Sequence, residues 1–157
     1  MRHRRGLAVL SAVGVVLLAS AEVAVSATRL PGFRSPSGNI RCLFIPAPSG
    51  ARTSSATILC TIARADYAAR LRARCAGPPM GLDWTGFTLS ATRRGFVSCS
   101  GGVLFNPETQ RPSYVTLPYG RSWKHGAFTC RSRTTGVTCR NPRGHGLFVS
   151  RRSWRTW

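Results

Sequence analysis

Beyond the N-terminal segment, the side chains best suited to proton transfer near neutral pH are two histidines. His125 follows Lys124 in WKHG, and His145 sits between two glycines in RNPRGHGLFVSR. One imidazole as base, the other as acid and a cation on the phosphate form a sufficient set for cleaving RNA or another phosphodiester through its 2′-hydroxyl. A hydrolytic reading therefore names His125, His145 and Lys124. The competing reading is structural: a histidine flanked by glycines marks a tight corner, its ring bonded to a neighbouring main-chain group. Other catalytic signatures do not occur. There is no Gly-x-Ser-x-Gly elbow, SPSG reads as a turn, and RNPRGHG lacks the pattern of a phosphate-binding loop.

Six cysteines, Cys42, Cys60, Cys75, Cys99, Cys130 and Cys139, form the second set with chemistry. No Cys-x-x-Cys pair exists and His145 is not spaced from any cysteine pair as zinc ligands are, so no metal site and no cofactor are expected. An even number in an exported chain reads as three disulfides, with fifteen connectivities open. Strand alternation narrows them. Ile40, Cys42 and Phe44 share one face of an extended NIRCLFI, and Ile58, Cys60 and Ile62 share one face of TILCTI. Set antiparallel, 40 meets 62, 42 meets 60 and 44 meets 58 in a single register, which pairs Cys42 with Cys60. FTCRSRTTGVTCRN places Cys130 and Cys139 on two strands around a Thr-Thr-Gly turn, so they pair with each other. Cys75 and Cys99 remain as the third bridge.

Cationic and aromatic residues near the C-terminus are the candidates for binding: Arg143, His145, Arg151, Arg152, Trp154 and Arg155, with Trp157 ending the chain. Interleaved Arg and Trp suit a phosphate-bearing surface or a membrane interface, although the last residues of a domain fray by default.

The elements that must position these groups are mostly strands. ADYAARLRARC is the one convincing helix, with Tyr67 and Leu71 on one face and Asp66 near its N-terminus. WTGFTLS and GFVSC flank a turn, SYVTL is a further strand followed by a turn at PYGRSW, and GLFVSR is the last strand, with Leu147 and Val149 on one side. The expected fold is mainly β, a small antiparallel sandwich or barrel-like domain with one short helix, stapled by the three disulfides.

Arg2, Arg4 and Arg5 precede an apolar run from Leu7 to Ala21, and Val25 and Ala27 fit a cleavage site after Ala27. The run falls short of the roughly 20 residues needed to span a bilayer as a helix. Residues 1–27 therefore read as a signal peptide, with Ala19 and Ala21 as earlier sites and the export route left open. Residues 28–157 read as a single disulfide-bonded domain, secreted or held at the cell envelope. The whole chain of 157 residues carries a formal net charge of +19, with 23 basic and four acidic side chains. Removing three arginines and Glu22 with the leader leaves 130 residues with 20 basic and three acidic groups, a net +17. That field favours an anionic polymer, an anionic lipid surface or an acidic protein as partner. Yet 22 of the whole chain's 23 basic side chains are arginine and lie scattered along the sequence, which fits compositional bias equally well. The expectation is a monomeric, non-enzymatic binding protein with no specific nucleic-acid site.

FRSPSGNIRC, ILCTI, LPYG, GVTCRN and GHGLFVSRRSW follow one another through nearly the whole mature chain. In this order and spacing they resemble a family of small secreted actinobacterial proteins classed as a domain of unknown function. The resemblance implies an exported, disulfide-bonded, β-rich domain without an assigned activity. This chain departs from the pattern after Cys99, where Ser100, Gly101, Gly102 and Val103 replace a His-Gly-Asp run.

Overall fold

Alternation along the strands decides the core. In the computed structural model, which describes residues 27–50, 55–78, 81–102 and 105–157, the inward row of one sheet reads Phe33, Cys42, Cys60, Phe87 in cross-strand register. Every one of these side chains is fully buried. The facing row of the second sheet reads Trp123, Cys130, Cys139, Leu147. The rows meet across the interior: the rings of Phe33 and Trp123 lie 5.2 Å apart, and the sulfurs of Cys60 and Cys139 lie 4.0 Å apart. Two cross-strand disulfides thus touch in the middle of a β-sandwich.

The strands in chain order are β1 (Thr28–Arg34), β2 (Ile40–Ile45), β3 (Thr57–Ile62), β4 (Asp83–Ser90), β5 (Phe96–Ser100), β6 (Gln110–Thr116), β7 (Ser122–His125), β8 (Phe128–Arg133), β9 (Gly136–Arg140), β10 (Gly146–Val149) and β11 (Trp154–Thr156). Sheet A has the order β5-β4-β3-β2-β1-β6 and sheet B the order β11-β10-β9-β8-β7. The three disulfides are Cys42–Cys60 and Cys130–Cys139, as strand alternation predicts, and Cys75–Cys99, the pair left by elimination. Such a set belongs to an oxidising compartment.

Sheet A is not purely antiparallel. β6 joins β1 in parallel over seven residue pairs, because the chain between Ser100 and Gln110 carries it from one edge of the sheet to the other. Three strands were not anticipated: β1, whose Pro31 and Gly32 disguise it, the four-residue β7, and β11.

The helix α1 (Ala68–Ala76) packs Leu71 and Cys75 inward, and Cys75 ties it to edge strand β5 through Cys99. Tyr67, one residue before the helix, is also buried, and its hydroxyl donates to the carbonyl of Ser150 at 2.9 Å. Asp66 does not cap the helix. Its carboxylate instead receives the Nε–H of Arg151 at 3.3 Å, while its backbone N–H donates to the carbonyl of Arg151 at 2.9 Å. No helix among the described residues is long and apolar enough to cross a membrane. The expected signal peptide, apart from Ala27, lies outside the described residues.

Candidate functional site

The two histidines do not meet. His125 pairs with Phe128 across the β7–β8 hairpin, and His145 stands opposite Asn141, just beyond the β9–β10 pairing. Both lie in one row of sheet B, three strand spacings apart, or roughly 14 Å between backbones. An acid and a base working on one phosphorus need both rings within hydrogen-bond reach of it. The His125 ring is instead packed into the open edge of the sandwich. It stacks on Trp123 at 5.5 Å and meets the edge of Phe44 at 4.4 Å. Lys124 points to the opposite, outer face of the same strand.

At the corner around His145 the working side chain is Asn141, which the sequence reading passed over. Its buried amide fills its hydrogen-bonding capacity: Nδ2 donates to the carbonyls of Ser90 at 2.9 Å and Arg93 at 3.1 Å. Oδ1 accepts the backbone N–H groups of Arg143 at 3.0 Å and His145 at 3.1 Å. The corner thus uses the main chain of His145, and its ring makes no hydrogen bond among the described residues. Asn followed by Pro was the available signal for such a turn.

The C-terminal binding candidates are divided. Arg151 and Arg152 occupy the β10–β11 turn, whereas Arg143 and His145 belong to the turn at the other end of β10. Trp154 is partly buried and packs against the core, its ring 5.2 Å from that of Phe87. The tail is no frayed end, because β11 pairs with β10 and the backbone of Trp157 exchanges hydrogen bonds with Gly146. The Trp157 ring covers Gly146, where any side chain would collide with it, and its Nε1–H donates to the carbonyl of Gly144 at 2.9 Å.

Two features emerge that sequence order concealed. The first is the outer face of sheet B. Arg131 stands opposite Thr138, Thr138 opposite Phe148, and Phe148 opposite Arg155. The adjacent outward row holds Lys124, Thr129, Arg140 and Gly146. Arg140 and Arg155 lie over the Trp157 ring, 5.5 and 4.9 Å from its centroid, and this contact restrains both guanidinium groups. No acidic residue occurs from 109 to 157, so the strands of this sheet set no carboxylate against these cations. Three of the arginines, Arg131, Arg140 and Arg155, are gathered here by pleating, while most of the others lie elsewhere on the surface. The alternation Thr129, Arg131, Arg133 on β8 was the visible trace.

The second feature is a cleft of about 580 Å³ at the end of the sandwich away from both histidines. Its walls come from the β1–β2 loop, the segment after β3, the β8–β9 turn, the β10–β11 turn and Tyr119. Asn39 clamps two of these walls: Nδ2 donates to the carbonyl of Arg64 at 3.1 Å and Oδ1 accepts the N–H of Arg64 at 2.9 Å. Parts of FRSPSGNIRC, LPYG and GHGLFVSRRSW contribute to this one place.

Among the described residues, the group of metal-type donors is formed by the sulfurs of Cys42, Cys60 and Cys139. All three are disulfide-bonded and offer no thiolate to an ion.

No curated protein and no solved structure matches the chain. A family model does match, over residues 10–156, which is nearly its whole length. The β-sandwich with its basic sheet, its walled cleft and its paired internal disulfides is therefore one form of a family of unknown function, DUF6636, and this protein belongs to it.

Proposed function

We propose that the protein is exported after cleavage behind Ala27 and acts at or outside the cell envelope as a non-enzymatic binding module for anionic polymers. The outer face of sheet B carries this reading. Four cations, Lys124, Arg131, Arg140 and Arg155, project from one pleated surface without a carboxylate among them. Threonines separate them along the rows, and Trp157 holds two of the guanidinium groups. An extended, positively charged sheet face suits a long chain of negative charges better than a compact anion. The roughly 14 Å between the histidine backbones gives the phosphodiesterase alternative no comparable support.

The test is fluorescence anisotropy with labelled poly(glycerol phosphate) at several salt concentrations. If all four cations contact phosphates, log K falls against log salt with a slope of about −3, as for single-stranded polyelectrolytes. The triple variant Arg131→Glu, Arg140→Glu, Arg155→Glu abolishes most of that binding while the probe stays intact. Binding that ignores salt, or a probe that is cleaved, rejects the reading.

A further inference from the structure

The cleft at the far end differs in character from the basic sheet. Arg64, Arg133 and Arg151 are among its lining residues, and of these only Arg151 has an ion pair among the described residues. That pair uses Nε, so the terminal nitrogens of Arg151 make no hydrogen bond among the described residues. Thr134 and Thr135 line the same space, and their hydroxyls likewise have no hydrogen-bond partner among the described residues. Tyr119 also lines it, a large side chain left 43% exposed although the backbone on either side is anchored. Leu117 before it is buried and donates to the carbonyl of Arg34. Gly120 after it, with φ of 82°, donates to the carbonyl of Ser132 at 2.8 Å. The turn thus fixes the backbone of Tyr119 beside the cleft that it lines.

The walls are held together before any ligand arrives. Asn39 joins the first loop to Arg64, the backbone of Asp66 bonds that of Arg151, and Tyr67 bonds Ser150. A preorganised site loses little entropy on binding. The volume of about 580 Å³ falls in the range of small-molecule sites.

We propose that this cleft binds one acidic sugar unit, a pyranose bearing a carboxylate or a phosphate. The guanidinium groups take the anionic group by paired, charge-assisted hydrogen bonds. Thr134, Thr135 and the Asn39 loop face the ring hydroxyls, and the Tyr119 ring covers the apolar C–H face of the sugar. This site is separate from the basic sheet and does not depend on the polymer reading, although Arg133 lies at the corner between them.

The experiment is a titration of the disulfide-bonded protein, followed by backbone amide NMR, with trigalacturonate, glucose 1-phosphate, maltotriose and inorganic phosphate. The expected result is that one of the two acidic sugars shifts the amides of residues 37–39, 64, 119 and 134–135. Maltotriose then binds at least about tenfold more weakly, since it lacks the group that charge-assisted bonds require. Arg133→Gln weakens the acidic sugar by about tenfold, the loss of one bidentate contact. Tyr119→Ala weakens it severalfold. Both residues are exposed, and an unchanged amide spectrum of each free variant shows that it folds. Which acidic sugar binds distinguishes a carboxylated from a phosphorylated ligand. Inorganic phosphate binding as tightly as glucose 1-phosphate overturns the saccharide, as does indifference to Tyr119→Ala. Shifts confined to residues 124, 131, 140 and 155, or no shift with any probe, overturn the site. The triple sheet variant retains cleft binding, so the two readings fail separately.

Discussion

Single residues carry the corners of this sandwich, and Asn141 carries the most. Replacing it with Ala removes the buried amide that two carbonyls and two N–H groups share, at a corner whose residues 142–144 are otherwise exposed. The expected cost is about 3 kcal/mol, the sum of modest hydrogen bonds and the penalty for unpaired groups. His145→Ala keeps the main-chain contacts and is expected to cost under about 1 kcal/mol. Chemical denaturation of the oxidised proteins measures both, and equal losses would mean that the His145 ring holds the corner after all. Tyr67 gives a pH signature. Burial, and then the neighbouring Asp66 carboxylate, push its phenol up to about 12 from an ordinary 10.0. Below pH 10 the phenol is neutral in both states and its contribution is complete. As pH rises from 10 towards about 12 the unfolded chain gives up the proton first, so stability declines through that window. Burial raises Tyr114 as well, and it adds in the same direction. Tyr67→Phe, which removes the donor to Ser150, costs about 1 kcal/mol at neutral pH. It also flattens the alkaline slope, which unfolding curves from about pH 8 to about pH 11 record.

At the scale of elements, the disulfides differ in exposure although all three fasten strands or the helix. Cys42, Cys60, Cys75, Cys130 and Cys139 are fully buried, and Cys99 is partly open on edge strand β5. A dilute reductant therefore opens Cys75–Cys99 first, because exchange requires a thiolate to reach a sulfur. Limited reduction, alkylation and peptide mass mapping should find label on Cys75 and Cys99 before any other cysteine. Label appearing first on Cys130 and Cys139 would contradict the burial order. Strand β11 is short, yet it brings Trp154 onto Phe87 and Trp157 onto Gly146. In Gly146→Ala the new methyl meets the Trp157 ring and lies 2.6 Å from the carbonyl oxygen of Cys139. That substitution is expected to destabilise by about 2 kcal/mol, as overpacking does, and to release the C-terminal strand to proteolysis.

For the whole molecule the question is whether charge acts as a general field or as a placed surface. Eighteen described arginines and Lys124 are all exposed. A field effect depends on their number, whereas a placed surface depends on which are removed. Reversing Arg70, Arg72 and Arg74 on α1 changes the net charge as much as reversing Arg131, Arg140 and Arg155. The helix variant is expected to keep most of the affinity for poly(glycerol phosphate) and the sheet variant to lose it. Equal losses would assign the binding to overall charge and leave sheet B without a special role.

The fold class was legible because its signals are local. Period-two alternation put Cys42 against Cys60 and Cys130 against Cys139, and elimination then left Cys75 for Cys99. Charge and the cysteine set were legible for the same reason. Two features of the fold were hidden, namely the parallel pairing of β1 with β6 and the short strands β7 and β11. The first depends on where a long crossing returns to the sheet. The others gain their pairing from neighbours and too little from their own residues. The site was decided at the tertiary level. Arg131, Arg140 and Arg155 stand nine and fifteen positions apart in sequence, and strand register makes them one surface. Ser37, Arg64, Tyr119 and Thr134 come from four separate loops, and only closure of the sandwich brings them around a single cleft. Local sequence fixes what each residue can do. Long-range pairing fixes which residues do it together, because proximity across strands carries no mark in the order of the chain.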